Sequence, residues 1–96
     1  MYQKLDPILH SQLRLAVISL LISVGEAEFV VIKKKTNATA GNLSVQLDKL
    51  ANAGYITIRK FFKGKKPKTV CKITKKGIQA FEDYVKDLQH YIDVKK

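Results

Sequence analysis

The chain has one cysteine, Cys71, no tryptophan, two prolines, and only eight acidic residues against eighteen lysines and arginines. A single cysteine cannot close an internal disulfide; this excludes a disulfide scaffold and fits a reducing compartment, so the expected location is the cytoplasm. Long apolar runs are also missing. The stretch LAVISLLISV at residues 15–24 has ten residues, where a membrane-spanning helix needs about 20. Arg14 before it and the small residues at its end, Ser23, Val24 and then Gly25, give it the outline of a secretory signal. Cleavage there would remove the longest apolar element of a small fold, so the stretch is read as core and no membrane partner is expected. His10 and His90 lie far apart, and no Cys/His cluster has zinc-ligand spacing, so no metal is expected. With no phosphate-binding glycine loop and no nucleophile–base motif, neither a cofactor nor enzymatic activity is expected.

What is present is a folded chain with an uneven charge. Apolar residues make up 46% and charged residues 27%, an ordinary globular balance. Residues 1–96 form one domain, which buries roughly 60–70% of its unfolded surface. That is enough for three helices and a small sheet, with little room for a deep substrate cleft. The net charge is +10, yet thirteen of the eighteen basic residues lie between Lys33 and Lys76, beside the single acid Asp48. The middle of the chain therefore holds all the excess positive charge, and a polyanion is the natural partner.

Periodicity divides the chain into elements. Asp6 can cap a helix with Pro7 at its first position, and Ile8, Leu9, Leu13, Ala16, Val17, Leu20, Leu21 and Val24 then recur at helical spacing up to Gly25. This helix is apolar on more than one face, so it is either central to the core or shared with a second chain. Glu26 and Glu28 flank a short junction. Residues 29–35 read as a brief second helix, with Lys33, Lys34 and Lys35 in its last turn, where positive charge suits the helix dipole. Asn37 follows in a tight turn. Thr39 caps a third helix that ends at Gly54, with Leu43, Leu47 and Leu50 in one narrow buried stripe. Residues 55–62 (YITIRKFF) read as a strand with Ile56 and Ile58 on one face and Thr57 and Arg59 on the other, and residues 69–73 as its return. Gly64 and Pro67 bracket the turn between them. Thr74 caps a last helix reaching about residue 94, its apolar residues Ile78, Phe81, Val85, Leu88 and Ile92 in a 3-4-3-4 rhythm with Tyr84 and Tyr91 beside them.

Three blocks, LDPILHSQLRLAVISLL, TAGNLSVQLDKLANAGYI and KGKKPKTVCKITKKGIQAFEDY, together resemble a winged helix-turn-helix DNA-binding domain. The nearest likeness is to the small, single-domain MarR-like regulators, and the middle block is the most specific. The expected fold class is α+β and mainly helical: a three-helix core, a two- to three-stranded β-wing and a long C-terminal helix. The resemblance implies a third helix in the major groove, with Thr39, Ala40, Gly41, Asn42, Ser44, Val45, Gln46 and Lys49 facing DNA. It also implies a wing on the backbone or minor groove, carrying Lys63, Lys65, Lys66 and Lys68. Two residues depart from the pattern. Lys76 stands in the first turn of the last helix, where relatives often have an acid; a cation is unfavourable there unless something negative lies nearby, so a phosphate contact is expected. Cys71 occupies a strand position that is often aromatic in relatives, and is read as a packing variation.

The residues themselves agree with this assignment. The wing lysines, with Arg59 and Lys60, exceed what protection of a sheet edge requires and are read as phosphate ligands. Asn42 and Gln46 suit adenine and Val45 a thymine methyl, while no arginine lies in this helix to read guanine. The sustained heptad of the last helix and its length favour a homodimer built from Leu9, Leu13, Ile78, Phe81, Tyr84, Val85, Leu88, Tyr91 and Ile92. The expected function is a sequence-specific regulator of transcription acting on double-stranded DNA. The alternatives are a sequence-tolerant architectural DNA- or RNA-binding protein, or a winged helix used as a protein-interaction module.

Overall fold

A computed structural model of the chain describes residues 2 and 4–92. The elements run α1 (Gln12–Val24), β1 (Glu26–Glu28), α2 (Phe29–Thr36), α3 (Ala40–Asn52), β2 (Ile56–Lys63), β3 (Lys66–Ile73) and α4 (Lys75–Ile92). The expected end of the last helix, near residue 94, lies outside the described residues.

α1 is the hub of the core. It packs against the other three helices and against β1 and β3, with Val17, Ile18 and Leu21 fully buried. Its apolar stripe exceeds one face because it has neighbours on several sides. Its start differs from the sequence expectation. Asp6 does not cap it: one Asp6 carboxylate oxygen accepts the Ile8 N–H at 2.8 Å, and the Asp6 carbonyl accepts the His10 N–H at 2.9 Å. Residues 7–9 thus close a separate turn, and the helix begins only after Ser11, whose hydroxyl accepts the Arg14 N–H at 3.4 Å. Gly25 ends it at φ 86°, as expected of a glycine stop.

The short acidic junction after α1 is a third strand. The sheet is antiparallel in the order β1-β3-β2. Glu26 pairs with Lys72, Ala27 with Cys71 and Glu28 with Val70, while Ile58 lies opposite Cys71 from the other side. Ala27, Cys71 and Ile58 therefore form a row on the face turned to the helices. Small Ala27 and Cys71 let α1 approach, and Cys71 is wholly buried. α2 ends with Asn37 in the left-handed conformation (φ 57°). α3 is capped by Thr39, whose hydroxyl accepts the Asn42 N–H at 3.2 Å, and it buries Leu43, Leu47 and Leu50 as its spacing dictates.

The end of α3, the base of the hairpin and the start of α4 meet in one junction. The Thr74 hydroxyl donates to the Gly54 carbonyl at 2.7 Å and accepts the Gly77 N–H at 3.0 Å. The Thr74 N–H donates to the Tyr55 carbonyl at 3.1 Å. Gly77 is buried; a Cβ there would stand 2.2 Å from the Tyr55 carbonyl oxygen. Only glycine lets α4 pass this close to backbone.

Two outcomes follow from this packing. Gly77→Ala should lower stability in urea denaturation by about 1–3 kcal/mol, the usual cost of overpacking, because the obstacle is backbone. Burial pushes the Cys71 thiol up to about 11, so it should resist iodoacetamide at neutral pH and react only when the chain is unfolded.

Candidate nucleic-acid interface

With its leucines buried, α3 presents a small polar face. Ala40, Gly41, Asn42, Ser44, Val45 and Lys49 are exposed, as is Thr39 at the cap, and Gln46 is half-buried. Nothing lies within 4 Å of where a Gly41 Cβ would sit, so this face is open at the helix start. The positive dipole end of α3 lies at this same end of the helix.

The hairpin rises beside this helix. Gly64 (φ 65°) and Lys65 form a two-residue turn, and Lys63 faces Lys66 across the last rung. The turn is tighter than expected, and Pro67 falls within β3, opposite Phe62. β1 covers β3 only from Val70 to Lys72, so Pro67 sits where β3 has a neighbour on one side, the setting in which a residue without an N–H is tolerated. Lys63, Lys65 and Lys66 are all exposed at the tip.

The other expected basic contacts divide. Lys68 is held to Glu28 at 3.3 Å, which ties the hairpin to β1 and partly neutralises that lysine. Lys60 lines a groove of about 240 Å³ between α3 and the hairpin, together with Ser44, Asp48, Ile58 and Thr69. Arg59, one residue before it, lies on the opposite face of the strand, its guanidinium 4.6 Å from the Phe61 ring centre. Lys76 is at the base of the hairpin, packed against Gly54 with its ammonium 5.9 Å from the Tyr55 ring centre. Seven rungs separate this end from the tip, roughly 24 Å of strand. The structure therefore does not bring Lys76 together with the wing lysines, and Tyr55 offers its ring to the cation that the helix dipole disfavours.

A residue that the sequence reading passed over supports α3 from behind. Arg14, half-buried in the first turn of α1, donates from Nε to the Ile8 carbonyl at 2.6 Å and from Nη2 to the Pro7 carbonyl at 3.5 Å. Its Nη1 donates to Gln46 Oε1, and Gln46 Nε2 donates to Asn42 Oδ1 at 3.0 Å. The only sequence hint was an arginine three residues after a capping serine, with a carboxamide pair at i, i+4 elsewhere. On the other side of the same turn, the Tyr55 hydroxyl donates to Asp6 at 2.5 Å, and His10 Nδ1 lies 3.1 Å from the Tyr84 hydroxyl.

The expected dimer residues also divide. Leu9 and Tyr84 are buried in the chain's own core, so neither has surface to offer a partner. Leu13 is half-buried and packed on that core. Phe81 and Leu88 are partly buried, while Val85, Tyr91 and Ile92 are exposed. Phe81, Val85 and Leu88 line an apolar groove of about 390 Å³ with Leu15, Ala16 and Ser19 of α1. No group of His, Cys, Asp and Glu among the described residues could hold a metal ion, and none of the described helices is long and apolar enough to cross a membrane.

Three packed helices, a free polar face on the third and a basic β-hairpin beside it define a winged helix-turn-helix. Residues 13–92 match the winged helix DNA-binding domain family, and the chain belongs to that family. It is 36% identical over 81 residues to an uncharacterized protein of Methanocaldococcus jannaschii, covering 84% of this chain and 88% of that one. A transcriptional regulator homologue from Pyrococcus horikoshii is similar in structure, with a TM-score of 0.82 at 29% identity over 90% of this chain and 85% of that one. Bacillus subtilis PadR, solved with operator DNA, gives a TM-score of 0.69 at 26% identity over 78% of this chain and 48% of its own. The MarR-like resemblance holds, and the class is one of DNA-binding regulators rather than enzymes.

The Tyr55–Asp6 contact gives a pH signature. Burial first, then the hydrogen bond and charge of Asp6, raise the Tyr55 phenol from 10.0 to about 12. The folded state thus holds this proton more tightly than the unfolded state. Its contribution is fully present below pH 10 and is lost as pH rises towards 12. Stability of the wild type should fall over that window more steeply than that of Tyr55→Phe, as read by urea midpoints at each pH.

Proposed function

We propose that the chain is a homodimeric, sequence-specific regulator of transcription that binds double-stranded DNA with α3 in the major groove. The wing tip, Lys63, Lys65 and Lys66, rests on the backbone or in the minor groove. The observation that carries this reading is the pairing of an unencumbered polar face on α3 with three exposed lysines on a rigid hairpin beside it. Lys60 extends the basic path along the groove between them. The wing lysines supply affinity without reading sequence, and α3 with DNA shape supplies specificity.

The second copy belongs on the groove between α1 and α4. An α4 of eighteen residues is about 27 Å long, and its far end carries exposed Tyr91 and Ile92. Phe81, Val85, Leu88, Tyr91 and Ile92, with Leu15 and Ala16, form the contact, together with Ile78 and Leu13 at its margin. Two copies so joined present α3 to successive major grooves, about 34–36 Å apart on a pseudo-palindromic site.

Fluorescence anisotropy with a labelled duplex tests this. If 6–10 phosphates are neutralised, affinity should drop by about 10³–10⁵ between 50 and 200 mM salt. Replacing Lys63, Lys65 and Lys66 with glutamate should weaken binding to all duplexes alike and flatten that slope, and a salt-independent titration would exclude the reading. Equal affinity for random and selected duplexes would turn it towards an architectural role. Val85→Asp should give a monomer in sedimentation velocity; an unchanged dimer would place the interface elsewhere.

A further inference from the structure

The hydrogen bonds from Arg14 fix which way the polar side chains of α3 face. Left to themselves, the carboxamides of Asn42 and Gln46 could each turn either end outward, since their oxygen and nitrogen differ little in shape. Arg14 removes that freedom. A guanidinium has donors and no acceptor, so the Gln46 atom that meets it must be the oxygen. That turns Gln46 Nε2 towards Asn42, and a nitrogen donor there must meet Asn42 Oδ1, at 3.0 Å. Asn42 Oδ1 is then engaged along the helix, and the group left to face outward is its amide N–H₂.

Arg14 is itself held. Two backbone carbonyls of the preceding turn, Ile8 and Pro7, accept its other N–H groups, so the guanidinium cannot swing out to become a base reader in its own right. Its direction is set by the fold, and the order passes from α1 to Gln46 to Asn42.

This deepens the reading of α3 as the groove helix and rests on it. Recognition of adenine by a carboxamide needs the oxygen and the nitrogen on one free edge, to meet N6–H₂ and N7 together. Gln46 has its oxygen turned inward onto Arg14. On Asn42 the Gln46 N–H already takes one of the two lone pairs of Oδ1 and draws it along the helix, so the outward part of the Asn42 edge is its N–H₂. Guanine, by contrast, shows two acceptors, N7 and O6, in the major groove, which suit an outward N–H₂. We infer that Arg14 is a positioning residue that sets the base preference of α3, turning Asn42 outward as a donor so that it selects guanine over adenine.

Selection of bound duplexes from a randomised pool, with the full chain and its variants, tests this. The wild type should enrich guanine opposite Asn42, by roughly tenfold or more over adenine, within the range one base-edge contact commands. Gln46→Glu keeps a partner for Arg14 but replaces the donor facing Asn42 with an acceptor. Asn42 should then reverse, present its oxygen and enrich bases that show a donor, adenine or cytosine, even though overall affinity falls. In an Asn42→Ala background the same substitution should leave the preference unshifted. Arg14→Lys, still donor-only, should retain the guanine preference, and Arg14→Met should lose it.

Adenine enriched by the wild type, or an unshifted preference in Gln46→Glu, overturns the inference. Dimethyl sulfate footprinting separates this from failure of the groove reading. Protection of guanine N7 with no change in preference leaves α3 in the groove and removes only the role of Arg14. Absence of major-groove protection removes both.

Discussion

The rest of the structure depends on the contact at which α4 passes the backbone leaving α3. Thr74 bonds three ways there, to Gly54, Tyr55 and Gly77, and the missing side chain of Gly77 lets the approach happen. This small knot has a large reach. It sets where α3 stops, at what angle β2 leaves it, where β3 returns and in which direction α4 departs. A wing is useful beside a groove helix only if it cannot swing relative to that helix. In the proposed function, the contacts at the base of the hairpin are therefore what join two separate polar surfaces into one interface.

Charge is then graded along the hairpin. Near its base Lys76 lies against Tyr55; midway Arg59 lies over Phe61 and Lys68 is drawn to Glu28; at the tip Lys63, Lys65 and Lys66 stand in solvent. Cations that rest on rings or carboxylates stiffen the sheet, and those at the end remain fully hydrated until a polyanion arrives. The concentration of positive charge seen in the chain as a whole thus resolves into cations held by the fold and cations exposed at the tip, and in the proposed complex the second group supplies the counterion release.

Most of this was legible in the sequence because most of it is local. The cap at Thr39, the leucine stripe behind it, the left-handed Asn37, the stop at Gly25 and the cap at Thr74 each need only neighbouring residues, and each formed as expected. What escaped was decided at a distance. Asp6 and Pro7 carry a valid helix-start signal, yet the Asp6 carboxylate is shared between Ile8 and Tyr55, 49 residues away. Glu26 to Glu28 is too short and too acidic to read as a strand, and becomes one because β3 offers it a free edge. In the candidate site, the position of α3 and of the tip lysines could be read from spacing. The turning inward of Gln46 could not, because its partner lies 32 residues earlier in the chain. Leu9 and Tyr84 looked like interface for a related reason: periodicity separates apolar from polar faces but does not say whose core the apolar face fills.

The turn at residues 6–10 touches three parts of the molecule at once. Asp6 reaches the start of β2, the Ile8 carbonyl holds the arginine behind α3, and His10 meets α4 through Tyr84. In a dimer framed by α4, the orientation of each α3 relative to its twin passes through this short peptide as through a wrist. In the proposed dimer its geometry fixes the span between the two α3 helices, so the half-site spacing that such a dimer fits is encoded partly in residues away from the proposed DNA face. Two chains with the same α3 and the same wing, differing only in this turn, would grip the same half-site and yet prefer different distances between its two copies.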